Sequence, residues 1–395
     1  MTSLPADFTL LQVTPELETG GAEQTTLDVA HAVIAAGGRA LVAARGGRMV
    51  ARLEADGGRL AQMPVQSKNP LVMLGNAARL TDLIRKEGVD LVHARSRAPA
   101  FSALWAAQAA KVPFIATYHG VYNAKSGLKR WYNAVMTRGD LVIANSEFTR
   151  DHVIAEHGIA PEKVVAIPRG IDLRRFEPGM VAPARVEALR TAWNVDPSER
   201  RMKVLLAGRL TRWKGQALLI EAAARLQIEG LGDKILFLLA GDDQGRTEYR
   251  AELEAAIRAA GLQDTVRLVG HCDDMPAAYL LADLAVAPSL EPEAFGRTAV
   301  EPQVMGRPVI AAAHGATRET VVPGETGWLA APRDAEALAE ALKQALSIGA
   351  AGRAAMGEAA RLRAKRLYSV DAMCEAYLAV YARVLEARQK DGSKA

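Results

Sequence analysis

The sequence predicts an α/β protein of two similar halves, each built on a parallel sheet. Three observations predict it. The length of 395 residues suits two or three domains with sizeable cores. Short runs rich in Val, Ile, Leu and Ala alternate with longer amphipathic stretches, the pattern of strands joined by helical crossovers. The alternation then starts afresh after residue 201.

Taken in order, residues 9–13, 40–43, 91–93, 114–118, 141–144 and 164–167 read as strands of the first half. Residues 203–207, 235–240, 266–269, 284–287 and 308–312 read as strands of the second. Residues 168–201 are rich in Pro, Gly and charge and mark a hinge with its following loop, which puts the boundary near residue 175. The expected domains are therefore 1–175 and 176–370. A last helix over 371–388 carries Met373, Tyr377, Val380, Tyr381, Val384 and Leu385 at helical spacing, so one face is expected to be buried. The polar tail from Gln389 is expected to be disordered.

Half of the residues are hydrophobic and 5% are aromatic, an ordinary soluble composition. The net charge of +4 arises wholly before residue 170, and is too small an excess to imply nucleic-acid binding. It suits an anionic acceptor or an anionic membrane surface, and equally a solvated face. Cys272 and Cys374 show no metal-ligand spacing, and His152 and His157 are five apart rather than on one helix face, so no metal site is expected. The two cysteines suit a reducing cytosol. Neither a signal pattern nor an apolar run approaching about 18 residues is present, so a cytoplasmic chain with at most peripheral membrane contact is expected.

Two segments carry chemistry. Residues 293–301 read E-A-F-G-R-T-A-V-E, after an apolar run over 284–288 and before a helix through Val300 and Met305. Gly296 lets backbone approach a ligand, and the amides of Gly296, Arg297 and Thr298 would face an anion. The spacing leaves Glu293 on the turn and Glu301 about one helical turn in, so one carboxylate meets a sugar and the other ribose hydroxyls. Residues 208–215 read G-R-L-T-R-W-K-G, where Arg209 and Lys214 flank a strand-to-helix junction. A planar fork and a point charge together neutralise a diphosphate, with no metal required. As simpler readings, the cations would be surface charges, and the acids helix N-terminal residues worth about 0.3–1 kcal/mol.

With these segments the chain resembles glycosyltransferase family 4, the retaining nucleotide-sugar transferases of GT-B fold. The resemblance rests on G-G-A-E at 20–23, H-G at 119–120, N-S at 145–146, R-G-I-D at 169–172, the paired segments above, and G-E-T-G at 324–327, in that order. Two positions depart from the family pattern. Arg169 stands where Asn is usual, and Pro302, in place of a small residue, is expected in the first turn of its helix, where a missing N–H costs nothing.

The resemblance implies two Rossmann-like domains facing across a cleft. It also implies transfer of a hexosyl unit from a UDP- or GDP-sugar to an acceptor hydroxyl, with the nucleotide sugar as substrate and no cofactor. A cell-envelope glycolipid or polysaccharide precursor is the expected acceptor. Gly20, Gly21, Arg209, Lys214, Glu293, Phe295, Gly296, Arg297, Thr298 and Glu301 would bind the donor. His119, at the carboxyl end of a predicted strand, would touch the transferred sugar; the other histidines carry no comparable signal. The sequence offers no enzymic nucleophile. Residues 122–138 form a basic, aromatic-bearing amphipathic stretch in which Tyr122, Lys125, Lys129, Arg130 and Trp131 would meet the acceptor or a membrane; core packing with a solvated basic face is equally open. A sugar-nucleotide epimerase of the same fold and a non-catalytic nucleotide-sugar scaffold are the alternatives.

Overall fold

The computed structural model describes residues 4–122 and 126–392. The chain divides into two compact units. One runs to Gly170 and includes the helix that begins at Val370; the other is Ile171–Ser369. The break at Gly170 falls a few residues before the expected 175.

The first unit holds seven strands: β1 (Thr9–Val13), β2 (Arg39–Ala44), β3 (Arg59–Gln62), β4 (Leu91–Ala94), β5 (Phe114–Tyr118), β6 (Leu141–Ala144) and β7 (Val164–Ala166). They pair in the order β3-β2-β1-β4-β5-β6-β7, all parallel. The second unit holds β8 (Met202–Ala207), β9 (Ile235–Ala240), β10 (Val266–Gly270), β11 (Leu284–Ala287), β12 (Val309–Ala312) and β13 (Gly327–Ala330), in the order β10-β9-β8-β11-β12-β13, again parallel. Each sheet reverses its winding once, between β1 and β4 and between β8 and β11. Such switch points leave a crevice at the carboxyl ends of the strands. The two strands not foreseen, β3 and β13, are both sheet edges.

Alternating side chains serve two cores in each unit, because helices cover both faces. Leu11 and Val13 enter one cluster, Phe8 and Leu10 the other. In the second unit Val204 and Leu206 face one way, Leu205 and Ala207 the other. The last helix, Val370–Gly392, belongs to the first unit and seals one face of its sheet. Met373, Tyr377, Val380, Tyr381 and Val384 pack against Phe8, Leu10, Leu91, Ile115 and Leu141. A buried polar chain fastens it further. His93 is hydrogen-bonded to Tyr381 Oη (2.8 Å) and Thr117 Oγ1 (2.7 Å), and the Arg95 guanidinium lies 4.8 Å over the Tyr377 ring. The helix continues to Gly392, so the expected disorder from Gln389 is corrected. Among the described residues no helix is long and apolar enough to cross a membrane.

Candidate active site

In the second unit the two chemical segments meet at the β8/β11 switch point. After β8 a tight turn over Arg212–Lys214 leads to Gly215, at φ +79°, where any Cβ would collide with the Pro288 carbonyl oxygen. Only glycine allows this approach, and it carries Lys214 onto the loop after β11. Lys214 Nζ lies 2.6 Å from Glu293 Oε1, which also accepts from Ser289 Oγ at 2.6 Å. Both partners of the ion pair are only 11% and 13% exposed, and the ammonium sits 4.3 Å over the Trp213 ring. Arg209 is exposed and makes no ion pair among the described residues, while its carbonyl accepts from buried Gln216 Nε2 (2.9 Å).

The turn from Glu293 ends at Gly296, in the left-handed region, which begins the helix Arg297–Val304. Ala299 N and Val300 N donate to the Gly296 carbonyl, so the amides of Arg297 and Thr298 precede the first helical bonds. Glu301 is 7% exposed and held on both oxygens: Arg297 donates from Nε and Nη2 to Oε1 (2.9 and 2.8 Å), and Tyr279 Oη donates to Oε2 (3.1 Å). Two expectations need correcting. Phe295 is 4% exposed and packs edge-on against Tyr368, so its side chain is a core anchor and not a donor contact. Pro302 lies inside the helix, beyond the first turn, and has no N–H for the Thr298 carbonyl.

Residues not singled out complete this loop. Gly315 packs on Glu293, where a Cβ would lie 2.7 Å from its carbonyl oxygen. Ala316 N donates to that carbonyl (2.9 Å), and His314 Nε2 donates to the Ser289 carbonyl (2.8 Å). A signal existed: His314–Gly315 is a second H-G pair after a predicted strand. The expectation that His119 alone stands at such an address is therefore corrected.

In the first unit His119 follows β5. Among the described residues neither ring nitrogen makes a hydrogen bond of ordinary geometry, although both are buried. Burial, then the charges of Arg169 and Arg95, hold its pKa well below the ordinary 6.5, with the Arg95 backbone a weaker opposing influence. The imidazole is neutral. Asn145 Nδ2 donates to the His119 carbonyl (3.1 Å), which ties the N-S motif to the H-G motif. At the start of the helix Gly21–Ala35, the Glu23 carboxylate lies over Gly20 and the Arg169 guanidinium over Gly21, each where a Cβ would stand. The glycine pair thus admits two charged side chains.

Within the basic stretch a short helix, Gly127–Asn133, runs on into a 3-10 turn, Ala134–Thr137, and Lys125 lies outside the described residues. Trp131 and Leu128 are 55% and 77% exposed. Arg130 pairs with Glu156 (3.0 Å), and Arg138 lies 5.2 Å over Trp131. Tyr122, Lys129 and Trp131 line a cavity of about 850 Å³.

Residues 19–175 match the family model described as Glycosyltransferase Family 4, and residues 191–363 that described as Glycosyl transferases group 1. A glycosyltransferase from Rickettsia africae superposes with a TM-score of 0.86 at 33% identity, over 96% of this chain and 99% of that one. HepE from Anabaena, solved in complex with UDP, superposes with a TM-score of 0.80 at 25% identity, over 95% and 100%. The 2-deoxystreptamine glucosyltransferase of Streptomyces kanamyceticus is 30% identical over 290 residues, 68% of this chain and 72% of that protein. The D-inositol 3-phosphate glycosyltransferase of Geodermatophilus obscurus is 31% identical over 264 residues, and the match spans 65% of this chain but only 56% of that protein. Two parallel sheets with matched switch points, these charged turns and these relatives agree: the chain belongs to glycosyltransferase family 4 and has the GT-B fold.

Proposed function

We propose that this chain transfers a hexosyl unit from a UDP-sugar to an acceptor hydroxyl, with retention of anomeric configuration. The observation that carries the reading is the half-buried Lys214–Glu293 pair beside unpaired Arg209, at the switch point where a diphosphate would rest. The complex of HepE with UDP favours uridine over guanosine.

In this reading the bond from the anomeric carbon to the diphosphate oxygen breaks as the acceptor oxygen bonds to that carbon on the same face. The acceptor proton passes to the departing phosphate, so no enzymic nucleophile is needed. Arg209, Lys214 and the amides of Gly296, Arg297 and Thr298 stabilise the charge that develops on the diphosphate. Glu293, with Oε1 engaged by Lys214 and Ser289, offers Oε2 to the sugar hydroxyls. Glu301, fixed by Tyr279 and Arg297, serves the ribose. By the family resemblance, His119, neutral, contacts the sugar. Two side-chain cations assume the charge neutralisation that a divalent ion would otherwise supply, so turnover is expected to be insensitive to chelators.

Thermal stabilisation by UDP, GDP and ADP tests the reading. A ligand at a hundred times its Kd adds about 2.7 kcal/mol. A shift selective for UDP and lost in Arg209→Ala is expected; no shift with any nucleotide would sink the assignment.

A further inference from the structure

A second cavity of the first unit, of about 860 Å³, lies at the opposite end of its sheet, where β5 and β6 begin and β7 is entered. Five cations enter its lining, Lys111, Arg138, Lys163, Arg383 and Arg388, against the two carboxylates of Asp140 and Glu162. Asp140 is already engaged. Its Oδ2 accepts from Phe114 N (2.8 Å), and its Oδ1 from Arg388 Nε (2.9 Å). Lys111, Arg138, Lys163 and Arg383 make no ion pair among the described residues, and the Arg138 guanidinium rests 5.2 Å over the Trp131 ring. A helix end accounts for Lys111, which follows the last turn of Arg97–Ala110. It does not account for Arg383, which stands inside the last helix and is brought here by the burial of its neighbour Val384.

Beneath the cations the lining is apolar. Leu104, Ala107, Phe114, Leu141 and Val384 are buried members of the two cores of this unit, and they form the floor. A bare inorganic anion would meet the cations and leave that floor to water. A cavity of this size with an apolar floor and a few convergent charges suits a small organic molecule, and the local excess of three positive charges makes it an anion. Lys and Arg together suit a phosphate ester, which joins up to two negative charges to an apolar body. Nucleic acid would track cations spread along a surface, whereas these ring a bowl.

We propose that this cavity binds a small organic phosphate, its phosphate met by the surrounding cations and its apolar body lying on Leu104, Phe114 and Val384. The site is separate from both strand-end crevices, since the length of β5 sets Phe114 about 13 Å from Tyr118, the neighbour of His119. Two stretches of chain supply its charge. Lys111, Arg138 and Lys163 come from the connections into β5, β6 and β7, whereas Arg383 and Arg388 come from the last helix. A ligand held by both fastens that helix to the first sheet, so its arrival is felt in the helix as well as in the cavity. The site stands whether or not the chain transfers sugar.

The test uses the full chain and 2-naphthyl phosphate as probe, with inorganic phosphate and 2-naphthol as its two halves, read by calorimetry with and without saturating UDP. Saturable binding of the ester, tighter than that of either half and indifferent to UDP, is expected. Arg383→Gln and Lys163→Gln should each weaken it about tenfold, the loss of one hydrogen bond to a charged group. Gln108→Glu, which places a negative charge in the lining, should weaken it as well. All three side chains are exposed, so the melting temperature of each variant without ligand should hold. With the ester bound, amide hydrogen exchange over residues 370–392 should slow. Absence of binding, or binding unchanged in the Arg383 and Lys163 variants, would overturn the proposal. Displacement by UDP would move the probe to the turns after β8 and β11, and equal affinity for inorganic phosphate would leave the apolar floor without a role; either result also overturns it. So does binding that leaves exchange in the last helix unchanged.

Discussion

The two switch points share a topology and differ in their charge. At β8/β11 two of the three cations already have carboxylates: Lys214 with Glu293 and Arg297 with Glu301, leaving Arg209 alone exposed and unpaired. At β1/β4 the partners of Arg95 and Arg97 are neutral, while the Glu23 carboxylate lies over Gly20. Arg95 donates to Gln12 Oε1 (2.8 Å), Arg97 to Asn133 Oδ1, and His119 is held uncharged. The same strand order thus yields one crevice whose charges are balanced and fixed in advance, and another whose positive potential stands open. The fold provides the address, and the side chains at the strand ends decide what binds there.

The comparison can be broken first at its most ordered pair. Lys214→Ala is expected to lower turnover about 10²–10³-fold, the loss typical of one preorganised donor, and Glu293→Gln to lower it far more than it lowers the melting temperature. Near-normal turnover in both would remove the balanced crevice from the chemistry. Gly215→Ala comes next: a left-handed backbone and a collision with the Pro288 carbonyl should together cost roughly 2–6 kcal/mol in denaturant unfolding. A loss under 1 kcal/mol would mean that the two turns are not held together as described.

The open crevice is probed by acid. His93 and His119 both have pKa values well below 6.5, chiefly through burial, so below that pH the unfolded chain takes up protons that the folded chain refuses. Stability should therefore fall as the pH drops below about 6.5, by up to about 1.4 kcal/mol per unit for each group. His119→Gln should flatten the slope; an unchanged slope between about pH 6.5 and 5 would contradict its burial. The smallest expected effect is on the stability of Arg209→Ala, within about 0.5 kcal/mol of the parent because the side chain is exposed and unpaired. A larger change would show a structural partner for Arg209.

What the sequence made legible divides by range. All eleven expected strands are present because each is a short apolar run, buried in the interior of its sheet or, at the edges β7 and β10, half-buried. Strand β3, R-L-A-Q, leaves Arg59 and Gln62 exposed at an edge, and β13, G-W-L-A, opens on a glycine, so neither carries that run. The approach of Lys214 to Glu293 is not given by the spacing, which sends one to a diphosphate and the other to a sugar; the close packing of Gly215 on Pro288 brings them together. Tyr279, Ser289 and Gly315 could not be placed at the site by spacing alone, because their contacts depend on how the loops after β11 and β12 fold over one another. The resemblance places Phe295 at the donor, yet burial against Tyr368 is what a phenylalanine in a turn gains most from. Pro302 is tolerated deeper in its helix than expected, and the ring is buried there.

The return of the last helix to the first sheet bears on how the chain is made. Residues 171–369 are continuous and can fold as soon as they are complete, whereas one face of the first sheet, covered in part by Val29 and Val33, waits for Met373, Tyr377, Tyr381 and Val384 before it is sealed. At about 5–20 residues per second, the interval between synthesis of Gly170 and of that helix is on the order of 10–40 s. During it Phe8, Leu10, Ile115 and Leu141 lack the helix that completes their cluster, so the first half of the chain to leave the ribosome is the last to finish folding.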